Sequence, residues 1–448
     1  MLMKKTVLTL AVLFAFAGLA AAQPLRGSYF LDNSLMRSRL NPALVPQESY
    51  ISVPVAGYAG VEILSNAGLD SFLFPADGHT YTFLNEAVAA DTFLKRLPEE
   101  DPYVRYRIES DLLGGGVRVS GKLYLTAGLS VVQLGDIRIG NELLRFAKTG
   151  RSGPVQDWTI RDAADVQLSR FAALSVGAGL DLDEWIPGLR AGGRLKLMTG
   201  IKAASASLDA ADICLEDDLF AASTRGSVLL SGYAYDAEDG FLSGRFGLRG
   251  FGAAFDLGLE YRIRFDGFVS GLHLSAAACN IGGLSIKTAE RLSADGSASF
   301  SGFQDFGSDD FDLEEGVQRI TDDFRNLATL TRTGSEKLSI ALPADIFAGA
   351  HITALEDKAG FGLLYSRSMD FDNLTVSLDY RPVPWFGCSL DYTFFGAANR
   401  LGLYAEATLW KRIRLFGGFE KAAWKTNSQM LGIKNLTESA AFGLNILL

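Results

Sequence analysis

The sequence predicts an all-β fold: a transmembrane antiparallel β-barrel of about 14–18 strands, with short helices in its loops. Three observations predict it. Apolar and polar residues alternate with period two along many segments, residues 4–22 carry the pattern of an export signal, and beyond them no apolar run approaches the roughly 18 residues of a membrane helix.

The N-terminus sets the compartment. Lys4 and Lys5 precede an apolar run from Thr6 to Leu19, and Ala20-Ala21-Ala22 supplies small residues ahead of Gln23. This pattern predicts Sec-type export with cleavage near Ala22-Gln23. A buried helix or an uncleaved anchor is the competing reading, but the run is short for a span. The chain then divides into a signal peptide (1–22), an N-terminal segment (23–49) for which the lumen is a candidate place, and a barrel (50–448).

Composition agrees. Hydrophobic residues make up 48%, with 48 Gly and 30 Phe against 5 Trp, and the glycines are scattered as crowded strand faces and hairpins require. So apolar a chain without a spanning helix can cross a membrane only as a closed barrel, because lipid offers no partner to backbone N–H and C=O groups. The expected location is therefore the cell outer membrane, with membrane lipid as one partner. A net charge of −10 argues against nucleic acid. Cys214, Cys279 and Cys388 are too few and too scattered for a disulfide framework or a metal site and read as small buried apolar residues. No cofactor motif is present.

The alternation identifies the wall. Leu374, Val376, Leu378 and Tyr380 alternate with Asn373, Thr375, Ser377, Asp379 and Arg381; Cys388, Leu390, Tyr392 and Phe394 alternate with Ser389, Asp391 and Thr393. The same pattern runs through 189–197, 256–264 and 400–409. It assigns Arg190, Arg194, Lys196, Asp256, Glu260, Arg262, Arg264, Asp379, Arg381, Arg412 and Arg414 to the lumen face. Roughly seventeen segments qualify, and an even number is required of a single-chain barrel. They include separate strands at 156–168 and 172–182, at 189–199 and 201–213, and at 226–236 and 248–264. Hairpin signals stand at Ser120-Gly121, Thr199-Gly200 and Asp266-Gly267. A soluble β-sandwich also alternates. The uninterrupted meander from about residue 337 and the terminal strand with Ala440, Phe442, Leu444, Ile446 and Leu448 on one face favour the barrel. Three stretches break the pattern: a loop at 66–105 with a short helix around Leu84 to Leu94, a helical turn at Asn141–Lys148, and an insertion at 282–336 with an acidic helix from Leu313 to Leu330.

The segment after the signal is the most distinctive. Tyr29-Phe30-Leu31-Asp32 leads to Arg39-Leu40-Asn41-Pro42-Ala43 and then to Tyr50-Ile51-Ser52-Val53-Pro54. Over the whole mature chain this resembles a family of Bacteroidetes outer-membrane proteins of unknown function. On architecture plus Asn41, Pro42 and Ala43 it also resembles the FadL-type long-chain fatty-acid channels and the PorV-type barrels of a secretion system. That second resemblance implies a barrel with a structured N-terminal segment. The tripeptide also has a plainer reading, since Pro42 restricts Asn41 to extended geometry and makes an entry point to the wall. The charge assigned to the lumen departs from a greasy conduit.

Little else points to chemistry. His273 and Ser275, two apart on one strand, share a face and could pair as base and nucleophile, but that face points away from bilayer substrate. Asp305, Asp309, Asp310, Asp312, Glu314 and Glu315 lack the spacing of a calcium loop and read as a solvated face. The lumen charges either pair to fill a closed interior or line a watery passage. The leading expectation is a channel or transporter of an unknown solute. The alternative is a barrel serving as scaffold, secretion accessory or surface anchor for a partner protein, and an outer-membrane esterase comes third.

Overall fold

The computed structural model describes residues 26–448 apart from 33, 77–78, 151–156, 216–219, 237–240, 245–246, 301–329, 395–397 and 422–436. The signal pattern and the acidic helix and loop therefore lie outside the described residues. In chain order the strands are β1 (Tyr50–Ser52), β2 (Ala59–Ser65), β3 (Leu73–Ala76), β4 (His79–Thr82), β5 (Tyr103–Arg118), β6 (Leu123–Ile139), β7 (Asp157–Asp181) and β8 (Leu189–Leu215). Next come β9 (Phe220–Ser231), β10 (Tyr233–Asp236), β11 (Phe241–Gly244), β12 (Arg249–Arg264), β13 (Val269–Ser293), β14 (Gly296–Phe300), β15 (Thr331–Ala341) and β16 (Asp345–Ala354). The last six are β17 (Ala359–Ser368), β18 (Phe371–Val383), β19 (Phe386–Phe394), β20 (Arg400–Leu409), β21 (Ile413–Lys421) and β22 (Glu438–Leu447).

Eighteen of these form one sheet. It closes because β1 and β2 pair with β22 on one side and β5 on the other. The ring has 14 wall positions, all antiparallel. Four positions are each filled by two segments end to end: β1 with β2, β9 with β12, β13 with β14, and β15 with β16. The shared registers show it: Gly283 faces Ala341 and Cys279 faces Asp345, so β15 and β16 continue one another along β13 across Leu342-Pro343-Ala344.

The strand count expected from sequence contracts for a physical reason. Thr199-Gly200 is not a hairpin, because β8 runs straight through it, with Gly200 paired to both Phe171 and Arg249. A Cβ on Gly200 would lie 2.6 Å from the Arg249 carbonyl, so this glycine serves close strand approach rather than a turn. Likewise β7 is one strand, and the register shift at Arg170/Phe171 comes from one extra residue on β8, Ile201. The expected strands at 226–236 and 248–264 share one position beside β8. The turns at Ser120-Gly121 and Asp266-Gly267 form as expected, closed by Ser120 N–H to Leu123 O and Phe265 N–H to Ser270 O.

The wall is inverted relative to a soluble sandwich. Leu174, Val176, Phe255, Leu257, Leu378, Leu390, Leu403 and Phe442 are exposed on the outside, whereas Thr375, Ser377, Asp391, Thr393, Glu420 and Asn445 are buried within. An outward apolar belt around a polar interior is what lipid outside requires. Trp185, Trp385 and Trp410 stand exposed in the short turns at the end where Leu447 pairs with Tyr50, forming an aromatic rim of the kind found at membrane interfaces. No helix among the described residues is long and apolar enough to cross a membrane. The chain is an outer-membrane β-barrel, with its short turns at the rim where β22 ends.

The opposite rim carries the longer connections. The stretch 66–105 is more structured than a loop: helices Leu69–Phe72 and Ala90–Leu94 flank the β3–β4 hairpin. Phe74, Phe83 and Phe93 pack there with Leu144 of helix Asn141–Thr149. Of the expected insertion at 282–336, residues 282–293 instead prolong β13. The long strands at this rim bring Phe171, Met198, Leu284, Ile286 and Leu338 into one apolar cluster.

Candidate functional site

Residues 26–49 run through the inside of the ring. Their side chains touch wall strands all the way round: Arg26 meets Glu420 of β21 and Ser366 of β17, Tyr29 meets Ser275 of β13, Ser34 meets Tyr404 of β20, and Arg39 meets Asp111 of β5. Tyr29, Phe30, Leu31, Leu35, Met36, Leu40, Ala43 and Leu44 are buried. A segment so apolar, without strand alternation, cannot join the wall but can fill its interior.

Two short helical turns, Arg26–Ser28 and Arg37–Leu40, shape it. The second ends where Pro42 forces Asn41 out of the helical region, to φ −148° and ψ 111°. Asn41 is wholly buried. Its Oδ1 accepts from Ala43 N–H at 2.9 Å, and its Nδ2 reaches Leu259 O at 3.2 Å, Ala276 O at 3.3 Å and the Tyr29 hydroxyl at 3.3 Å. One carboxamide thus ties two parts of the segment to β12 and β13. Pro42 and Ala43 lie flush on β8: a Cβ on Gly192 would be 2.1 Å from Pro42 O.

Ion pairs do the rest. Arg37 contacts Asp32 and lies 3.5 Å from Glu260, while Arg262 contacts Glu260 at 2.9 Å and Asp32 at 3.1 Å. Arg190 lies 3.6 Å from Glu260 and 3.2 Å from Asp181. Asp256 takes Lys196 at 2.9 Å and Arg194 at 3.4 Å, and Arg194 also donates to Ser38 O at 2.9 Å. Asp379 holds His351 at 2.8 Å, beneath the stacked ring of Phe30. Arg414 reaches Glu48 at 3.2 Å. Arg381 sits half-buried near Gly387 and Leu31. Arg264, the last residue of β12, and Arg412, in the turn before β21, are exposed and stand apart from this network.

Sequence reasoning missed about as many partners as it named. Glu62 and Glu420 bracket Arg26, Arg107 pairs with Asp345 at 2.7 Å, and Glu109 and Asp111 hold Arg39. The signal was present in β5, where Arg105, Arg107, Glu109 and Asp111 alternate. Asp32 was invisible as a link to the wall because the wall donor it accepts from, Arg262, lies 230 residues away. Burial pushes the Asp32 carboxyl up, but the Arg37 and Arg262 guanidiniums outweigh it and hold it below the ordinary carboxylate range.

Asp32, Glu260 and His273 bring three potential metal-ligand atoms within 4.8 Å of one another. Arg37, Arg190 and Arg262 already compensate those carboxylates, so the group fits an ion-pair cluster better than a cation site. Ser275 Oγ is 3.0 Å from the Tyr29 hydroxyl, whereas His273 faces Glu260 and His351. The two side chains that sequence suggested as nucleophile and base have separate partners. Of the three cysteines only Cys279 is buried as expected, its Sγ donating to Leu40 O at 3.3 Å; Cys214 and Cys388 are half-buried.

The model of a family of unknown function, DUF5723, matches residues 42–419. The chain belongs to this family. No curated protein matches it in sequence. Among solved structures, the DUF5723 barrel is similar to a FadL homologue of Pseudomonas aeruginosa, at 11% identity and a TM-score of 0.45, covering 94% of this chain and 95% of that one. It is similar to the toluene transporter TbuX of Ralstonia pickettii at 10% identity and 0.41, covering 93% of each chain. The translocator domain of the autotransporter NalP from Neisseria meningitidis follows at 9% identity and 0.29, covering 87% and 88%.

Proposed function

We propose that this DUF5723 barrel is a gated outer-membrane channel for a polar solute, and that residues 23–49 are its plug. One observation carries the reading: besides the apolar packing of Tyr29, Phe30, Leu31, Leu35, Met36 and Leu40 on the wall, the segment is held by a ring of side-chain hydrogen bonds and ion pairs, at Arg26, Asp32, Arg37, Arg39, Asn41 and Glu48. Such contacts can be exchanged for water or for solute groups as the segment shifts, which a continuous apolar core does not allow. The charged interior disfavours an apolar cargo, because a greasy solute would strip water from ions and return no hydrogen bonds.

A closed barrel acting as a scaffold or surface anchor is the second reading. The flush contact of Pro42 on Gly192 favours it, since it leaves no gap between the segment and β8 at that point. A tether separates the two. Leu40→Cys places a thiol beside native Cys279, in a background with Cys214 and Cys388 replaced by Ser. In proteoliposomes the oxidised tether should abolish solute flux, and reductant should restore it. Flux that ignores the tether, or no flux in either state, contradicts the gated channel.

A further inference from the structure

Beside the N-terminal segment the lumen keeps a cavity of about 110 Å³, and a second of about 450 Å³ lies toward the loop rim. The two share Leu134, Leu342 and Pro343. Leu342 and Pro343 occupy the break between β15 and β16, where the wall ladder is interrupted, so the shared residues form an apolar neck between an outer and an inner chamber.

We propose that the inner chamber is a binding site for a small zwitterionic solute, carrying one ammonium and one carboxylate, that enters past this neck. The inference rests on the gated-channel reading and names its substrate class. Arg39, Arg107, Arg194 and Lys196 line the chamber, and so do Glu109, Asp111 and Asp345. Every one of these cations already contacts a carboxylate: Arg107 to Asp345 at 2.7 Å, Arg39 to Asp111 at 2.9 Å, Lys196 and Arg194 to Asp256 at 2.9 and 3.4 Å. A solute with net charge would bring an uncompensated ion into a buried space, and an apolar one would dehydrate both signs without replacing their partners. A zwitterion adds no net charge. Its ammonium can take Glu109 and Asp111 while its carboxylate takes Arg107, Arg194 or Lys196. Ser130 of β6 and Ser175 of β7 add hydroxyls to the same lining, the few placed polar groups that fix orientation in a pocket.

The same geometry couples binding to the plug. Arg39 belongs to the N-terminal segment, and the carboxylates it holds are those that would receive the ammonium. Occupancy therefore competes with one of the segment's own anchors, and the solute loosens the plug that blocks it.

The test is equilibrium binding to the purified full-length barrel. Alanyl-alanine is the zwitterionic probe, with its N-acetylated form, its C-terminal amide and maltose as comparisons. Alanyl-alanine should bind, each blocked form should bind about ten-fold weaker or worse, and maltose should not bind. Ser130→Val with Ser175→Val should weaken the dipeptide by about ten-fold while leaving the heat-dependent gel mobility of the folded barrel unchanged. Equal binding of blocked forms, binding of maltose alone, no binding, or an indifferent double variant overturns the site. Dipeptide binding without passage into proteoliposomes keeps the site and overturns the channel. Tether-sensitive flux without dipeptide binding keeps the channel and overturns the site.

Discussion

The Pro42 carbonyl occupies the space that a side chain on Gly192 would need: a Cβ there would lie 2.1 Å from Pro42 O and 2.4 Å from Ala43 N. The obstructing atoms are backbone, so they cannot swing aside. Gly192→Leu should therefore push the segment off β8 while the wall ladder, whose hydrogen bonds do not involve the side chain, still closes. Planar-bilayer recordings should show higher conductance or frequent opening, with folded gel mobility retained. Parental conductance in a folded variant would mean the segment is not held where Gly192 admits it.

Asp32 gives a pH signature. A carboxyl whose folded pKa is depressed contributes anchoring that is complete above its unfolded value and is lost only as pH falls through the lower folded value. Asp32→Asn leaves Arg37 and Arg262 without that partner, a loss of about 3–5 kcal/mol for a broken buried pair. The variant should open more often than the parent at neutral pH. The difference between the two should hold constant down to about pH 4 and shrink only in stronger acid. A difference that vanishes between pH 7 and pH 5 would show that Asp32 is not the pinned carboxylate.

Facing predicts unequal tolerance of charge. Leu378 projects outward and is exposed. Leu378→Arg should lower stable insertion into bilayers by about 2–4 kcal/mol, the cost of Arg toward lipid near the midplane. Ser130→Lys, directed into the inner cavity, should insert normally. Ser377 is not the control that alternation alone would suggest: it faces inward but is fully buried, so a long side chain has nowhere to go. Equal insertion defects at Leu378 and Ser130 would reject the assigned faces.

The wall was legible because period two is a local property, and β18 to β20 display it without interruption. Composite positions were not, since nothing local tells two strands end to end from two strands side by side. Gly200 shows the difficulty: Thr-Gly reads as a turn, yet this glycine lets β8 pass close to Arg249. The N-terminal segment stood out because Tyr29 to Leu40 is apolar without alternation. Its attachment could be read only on the wall side. Glu260, Arg262 and Arg194 were marked as inward charges, but their pairing with Arg37, Asp32 and Ser38 across the lumen depends on closure of the ring.

The central claim is that the N-terminal segment occupies and blocks the lumen. Single-channel conductance of the intact barrel and of one lacking residues 23–40 tests it most directly, with heat-dependent gel mobility confirming that both are folded. The truncated barrel should conduct well above the intact one, because the volume of Tyr29, Phe30, Leu35, Arg37 and Arg39 becomes water. A truncated barrel that folds, inserts and conducts no more than the intact protein would contradict the claim.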